Sequence, residues 1–150
     1  MIAHLTPHAE MNPNYHHPHA FLGLAYEQKK DWDKAAMELE RAYELDKQPE
    51  ALAQLGHVYA VSGRTEAARK ILSELKSLSR KRYVSAYDIA VLYAGLNEQD
   101  AAFSWLRKVD EDRSEFFAAV NVDPRFDVLH SDPRWAAVLR SVGLAPQNSP

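Results

Sequence analysis

The stretch Leu55-Gly56-His57-Val58-Tyr59, with Ala68 nine residues past its tyrosine and Leu72 four further on, decides how this chain folds, because the same grammar is written twice more. Leu22-Gly23-x-x-Tyr26 is followed by Ala35 and Leu39, and Ile89-Ala90-x-x-Tyr93 by Ala102 and Leu106. The three tyrosines fall 33 and then 34 residues apart. A period of that length marks a stack of helical units. Leu and Tyr four apart share one face of a helix, and Gly or Ala between them lets a second helix come close. The later Ala does the same from the partner's side. Each copy continues past a polar or Gly-containing turn, read as Lys30-Asp31, Ser62-Gly63-Arg64 and Gly95-Leu96-Asn97. A second amphipathic stretch follows each turn: Ala35, Ala36, Leu39, Ala42, Tyr43; then Ala67, Ala68, Ile71, Leu72, Leu75; then Ala101, Ala102, Trp105, Leu106, Val109. All three keep the 3.6-residue helical period. The chain is therefore expected to be all-α, built from antiparallel helix pairs.

These residues resemble the tetratricopeptide repeat (TPR) family over roughly residues 16–116. Trp32 stands where that family often carries an aromatic after the turn. The resemblance implies a TPR-type α-solenoid with units at 16–48, 49–82 and 83–113, capping helices over 114–143 and a disordered tail over 144–150. Residues 1–15 read as the second helix and junction of a preceding repeat, since Leu5 and His8 align with Leu39 and Ala42. Such a remnant leaves an uncapped apolar edge, so self-association through the first repeat is the alternative function expected. It also makes the chain read as a piece of a longer protein.

The last third departs from the repeat. Glu115-Phe116-Phe117-Ala118-Ala119-Val120 suits one short helix. Asp123-Pro124-Arg125-Phe126 and Asp132-Pro133-Arg134-Trp135 each read as N-cap followed by first helical residue. Phe126, Val128 and Leu129 form one apolar patch, Trp135, Val138 and Leu139 another, and both are expected to cover the third repeat. This tail resembles the C-terminal end of bacterial multi-repeat proteins whose TPR arrays follow a winged-helix, cyclase-like or protein-kinase domain. That resemblance implies a regulatory role.

Composition excludes several function classes. A formal net charge of −3 gives no basic footprint for nucleic acid. The absence of Cys removes thiol nucleophiles, disulfides and Cys-based metal sites. Apolar runs are far shorter than the ~20 residues a membrane helix needs, and no signal peptide opens the sequence. The chain reads as soluble, with the cytoplasm favoured over the periplasm. No phosphate loop, nucleophile elbow or His-Glu-x-x-His occurs, and Asp110-Glu111-Asp112 reads as a solvated loop. No enzyme activity and no cofactor are expected. His16-His17-Pro18-His19, with His4 and His8, is broken by proline and lacks an acidic ligand at helical spacing, so it reads as a polar helix start rather than a metal site.

By the resemblance, the ligand site is the concave groove lined by the first helix of each pair. Its lining here is expected to be His17, Phe21, Leu24 and Gln28; Glu50, Gln54, His57 and Val61; and Tyr87, Asp88 and Val91. That mixture suits a protein or peptide partner. TPR domains that clamp a C-terminal carboxylate place Lys, Arg and Asn at positions held here by Ala20, Leu24, Gln54, Val84 and Asp88. The cations are missing, which argues against a chaperone-tail clamp. The expected function is a protein-interaction scaffold that binds a polypeptide in this groove.

Overall fold

In the computed structural model, the described residues are 16–111 and 123–141. The expected remnant of a preceding repeat, the helix at Glu115–Val120 and the tail over 144–150 lie outside them. The chain divides into two compact units, Met1–Val84 and Ser85–Pro150.

The first unit holds two helix pairs, α1 (His16–Gln28) with α2 (Trp32–Asp46) and α3 (Pro49–Val61) with α4 (Thr65–Leu78). Helix α2 packs on both α1 and α3, α3 on α4, and α1 also meets α3. This is the neighbour pattern of a TPR-type helical repeat. The second unit holds α5 (Ala86–Gly95), α6 (Gln99–Glu111), a 3-10 helix (Pro124–Leu129) and α7 (Arg134–Ser141). Here α5 packs on α6 and on the 3-10 helix, and α6 on α7.

One hydrogen-bond relay explains why Tyr and Ala stay nine residues apart in all three pairs. The carbonyl of Tyr26 accepts from the Asp31 N–H at 2.9 Å, and the Asp31 carbonyl accepts from the Ala35 N–H at 3.0 Å. Tyr59, Arg64 and Ala68 repeat this at 2.8 and 3.1 Å, and Tyr93, Glu98 and Ala102 at 3.0 and 3.0 Å. The first bond closes a helix C-terminus and the second opens the next helix. Between them the chain reverses through one left-handed residue: Lys30 (φ 61°), Gly63 (φ 90°) and Asn97 (φ 60°). The sequence reading placed Gly95 in the third turn. Instead, Gly95 is the last residue of α5, and Asn97, which tolerates the left-handed region, makes the reversal.

The buried faces follow the expected period. Ala35, Ala36, Leu39 and Ala42 are buried on α2, and Ala68, Ile71, Leu72 and Leu75 on α4. On α6 the buried set is Ala102, Phe103, Leu106 and Val109. Trp105 was expected in that stripe but is only half-buried, with the Lys108 ammonium 4.1 Å from its ring centroid. Phe103 takes the inward place.

At Gly23 the α1–α2 pair closes tightly. A β-carbon there would stand 2.5 Å from Leu39 Cγ, and Leu39 is fully buried. The equivalent position in the third pair is Ala90, also fully buried, where a methyl is accommodated. Gly23→Ala gains about 1 kcal/mol of helix propensity. Overpacking a closed core loses about 1–3 kcal/mol. A net destabilisation of about 1 kcal/mol is therefore expected in chemical denaturation, and Ala90→Gly should also destabilise, by a similar amount.

The tail is built from two copies of one small ring. The Asp123 carboxylate accepts from the Arg125 backbone N–H at 3.0 Å and from its Nε and Nη2 at 3.0 and 2.8 Å. Asp132 treats Arg134 the same way, at 2.9, 3.1 and 2.9 Å. Capping was expected from Asp-Pro. The return of the arginine fork onto the same carboxylate explains why Arg follows each Pro. The first segment is a 3-10 rather than an α-helix, because it has six residues before the next Asp-Pro stops it. Phe126 and Leu129 are buried there, whereas Val128 is exposed and leaves the expected patch.

These rings reach the third pair at two points. The Tyr87 hydroxyl donates to Asp123 Oδ2 at 2.5 Å, and Arg134 donates to Asp100 at 2.7 Å. Burial alone would push the Asp123 carboxyl up. The Arg125 fork and the Tyr87 hydroxyl more than reverse this, holding it below the usual carboxylate range. A carboxyl whose folded pKa is depressed stabilises the fold above its unfolded value and loses that contribution as pH falls through the folded value. Acidification below about pH 4 should therefore loosen the second unit. In Asp123→Asn this acid limb should flatten, as near-ultraviolet dichroism of the Trp135 environment would record.

Candidate interaction cleft

Within the first unit, α1, the end of α2 and the start of α3 enclose a cleft of about 410 Å³. Its walls are Ala20, Phe21 and Leu24 from α1, Ala42 and Asp46 from α2, Gln48 from the junction, and Glu50, Ala51 and Gln54 from α3. Four residues of the expected groove, Phe21, Leu24, Glu50 and Gln54, meet here. Phe21 is 51% exposed, which is high for an aromatic on a helix flanked by two others. A helical repeat brings these positions together because Phe21 and Leu24 lie three apart on one stripe of α1, and Glu50 and Gln54 four apart on one stripe of α3.

Gln54 is one of the polar residues lining the cleft. It is 6% exposed, and its Nε2 lies 3.5 Å from Glu50 Oε1. Its Oε1 is buried without a hydrogen-bond partner. Buried polar atoms are nearly always satisfied, so this acceptor marks a place where the protein alone leaves a bond unmade.

The other expected groove residues are placed differently. Gln28 and Val61 are exposed at the ends of α1 and α3 but do not line the cleft. His17 belongs to α1, and its side chain lies outside the described residues. His57 is buried, its Nδ1 against Glu27 Oε1 of α1, and Glu27 is buried too. That pair ties the two cleft walls together. In the second unit, Tyr87 and Val91 are buried and Asp88 is partly so. The Tyr87 ring meets Phe126 edge-on at 5.2 Å and its hydroxyl holds Asp123. Burial, then Asp123, pushes that hydroxyl well above the ordinary tyrosine range.

In the histidine stretch, His19 is explained by pairing. His19 is buried, with its Nδ1 2.6 Å from Glu38 Oε2. Among the described residues no group of three or more His, Asp or Glu converges. No described helix is long and apolar enough to cross a membrane.

Sequence reasoning missed Asp46 and Gln48, which sit at the junction between pairs rather than on a first helix. It also missed Glu27, which the adjacent Gln28-Lys29-Lys30 run presents as one more solvated charge. Elsewhere tyrosine hydroxyls reach glutamates on other helices. Tyr59 donates to Glu40, and burial with that carboxylate pushes its pKa up to about 12. Tyr43 donates to Glu74 at 3.4 Å.

Residues 17–49 match the tetratricopeptide repeat family, a span covering α1, α2 and the entry to α3. The all-helical repeat architecture of the described residues is consistent with that match and is a TPR-type fold. Repeats of this class generally mediate protein–protein interactions and are typically non-enzymatic scaffolds. No curated protein and no solved structure gives a match to the chain.

Proposed function

We propose that this chain is an interaction scaffold that binds a segment of a partner protein along the first-helix face, with the α1–α3 cleft as its anchor point. The observation that carries this is the half-exposed Phe21, which lines the cleft together with Leu24 and with Gln54, a residue whose Oε1 is buried without a partner. Exposed aromatics at the centre of a concave patch are the usual anchors of binding energy. The resemblance of the tail to the ends of bacterial multi-repeat regulators supports placing such a module within a larger regulatory protein.

The test is capture of partners by the immobilised chain. Phe21→Ala should weaken retention about tenfold, the scale of losing one aromatic anchor. Met37→Ala, at a residue as exposed but outside the cleft, should leave it unchanged. Equal retention by all three proteins would reject the cleft as the binding point. Tyr87→Ala is unsuited to this test, because Tyr87 carries the packing of Phe126 and Asp123.

A further inference from the structure

We infer that Arg82 is a positioning residue for the α1–α3 cleft: from the connection after α4, its guanidinium holds the α2–α3 junction and with it the part of the cleft wall that Gln48 forms. This role rests on the cleft being the binding point, and it places control of that cleft in a residue that does not line it.

The junction is short, with Lys47 and Gln48 alone separating α2 from α3. Lys47 is the C-cap of α2 and takes the left-handed conformation (φ 51°), with its N–H on the Tyr43 carbonyl at 2.7 Å. Gln48 is the N-cap of α3, makes no side-chain cap bond to that helix, and lines the cleft. The last carbonyls of a helix have no partner within it. Basic side chains near a C-terminus can supply one and meet the negative end of the dipole. At α2 such a side chain comes from 35 residues downstream of the C-cap. Arg82 Nη1 donates to the Lys47 carbonyl at 3.4 Å, and Nη2 to Gln48 Oε1 at 3.3 Å. One planar fork thus spans both residues of the junction, a geometry that a single ammonium does not offer.

Two further observations support the placement of Arg82. Its own backbone is fixed, because its N–H donates to the Leu78 carbonyl at 2.9 Å at the end of α4. Its charge is also felt at Tyr43, one turn before the junction. Burial and then Glu74 push the Tyr43 hydroxyl up, and Arg82 pulls it the other way. Arg80 and Lys81 are exposed in the same basic run, and neither has a side-chain bond or ion pair among the described residues. Position, not charge alone, therefore distinguishes Arg82 from its neighbours.

The experiment reads amide hydrogen exchange in the full chain by nuclear magnetic resonance. The Lys47 amide bonds to the Tyr43 carbonyl and the Leu52 amide to the Gln48 carbonyl, one on each side of the junction. In Arg82→Ala both should exchange about fivefold faster, the scale of one net hydrogen bond lost. The Ala68 amide, at the start of α4, should not change. Arg80→Ala and Lys81→Ala remove the same charge from the same run and should leave all three amides as they are. Arg82→Lys, which reaches one acceptor at a time, should recover only part of the protection. In the capture assay above, Arg82→Ala should weaken the retention that Phe21→Ala weakens, by several-fold, with the urea midpoint unchanged. Gln48→Ala should do the same, and the two together should weaken it no further, because both remove one contact.

Unchanged exchange at Lys47 and Leu52 in Arg82→Ala overturns the positioning role and leaves the cleft reading standing. So does an equal rise in Arg80→Ala and Lys81→Ala, which assigns the effect to the charge of the run. Faster exchange with retention unchanged also overturns it, as does a retention loss that adds in full to that of Gln48→Ala. A lowered urea midpoint in Arg82→Ala would make Arg82 a general brace of the first unit, and the role at the cleft falls. Retention untouched by Phe21→Ala removes the cleft reading itself, whatever exchange shows at the junction.

Discussion

Phe126→Ala should lower the unfolding free energy of the second unit by about 3–5 kcal/mol. Phe126 is fully buried, with the Tyr87 ring edge-on at 5.2 Å and the Trp135 ring at 6.2 Å. Truncation removes the burial of a large ring and leaves a cavity that a short segment closes poorly. The edge-to-face contact adds about 0.5–1.5 kcal/mol beyond area. The 3-10 helix that carries Phe126 has six residues and little stability of its own. It stays folded because Phe126 and Leu129 are buried and because Asp123 is held by Tyr87 and Arg125. Domains of this size have about 5–15 kcal/mol in total, so the loss is a large fraction. Urea unfolding followed by tryptophan fluorescence would measure it. Phe126→Leu, which retains most of the volume, should lose markedly less. A loss under about 1 kcal/mol for the alanine variant would show that the segment contributes no packing to the third pair.

How much of this was legible in the sequence depends on whether the information was local. The Tyr-to-Ala spacing was readable, and its cause is local too. Two backbone hydrogen bonds and one left-handed residue fix the number of residues between the helices, so the spacing survives changes of side chain at Lys30, Gly63 and Asn97. The Asp-Pro caps were readable for the same reason. Gly95 misled because glycine permits the left-handed conformation without requiring it, and Asn97 supplied it two residues later. The cleft was partly legible. Phe21, Leu24, Glu50 and Gln54 follow from repeat position, whereas Asp46 and Gln48 enter because the α2–α3 junction bends in beside them. Inward or outward direction was the hardest property to read. His57 and Tyr87 hold first-helix positions that would line a groove in a bare repeat. Here their polar atoms are turned to Glu27 and Asp123, 30 and 36 residues away, and no pattern in one sequence marks such partners.

The Glu27–His57 pair is the second place where a single substitution should have a large effect. Glu27→Ala should destabilise the first unit by about 3 kcal/mol, because truncating one side leaves the other's polar atom buried without solvent or partner. Both side chains are more than nine-tenths buried and join α1 to α3. Glu27→Gln keeps a neutral acceptor and should lose less. Glu27→Leu with His57→Leu removes both polar groups at similar volume. Apolar replacement of a buried pair is often neutral or stabilising, so the double variant should recover most of the loss. The double-mutant cycle should then show a coupling of at least about 1 kcal/mol, well outside the scatter of independent sites. Additive losses would mean that the two side chains do not stabilise each other. The pair also bears on function, because the helices it joins are the two main walls of the cleft. If its role is to fix how α1 lies against α3, the double variant should be as stable as the parent yet bind partners less selectively. If the pair only fills space, selectivity should follow stability. Peptide binding by the double variant, measured beside its unfolding curve, separates the two.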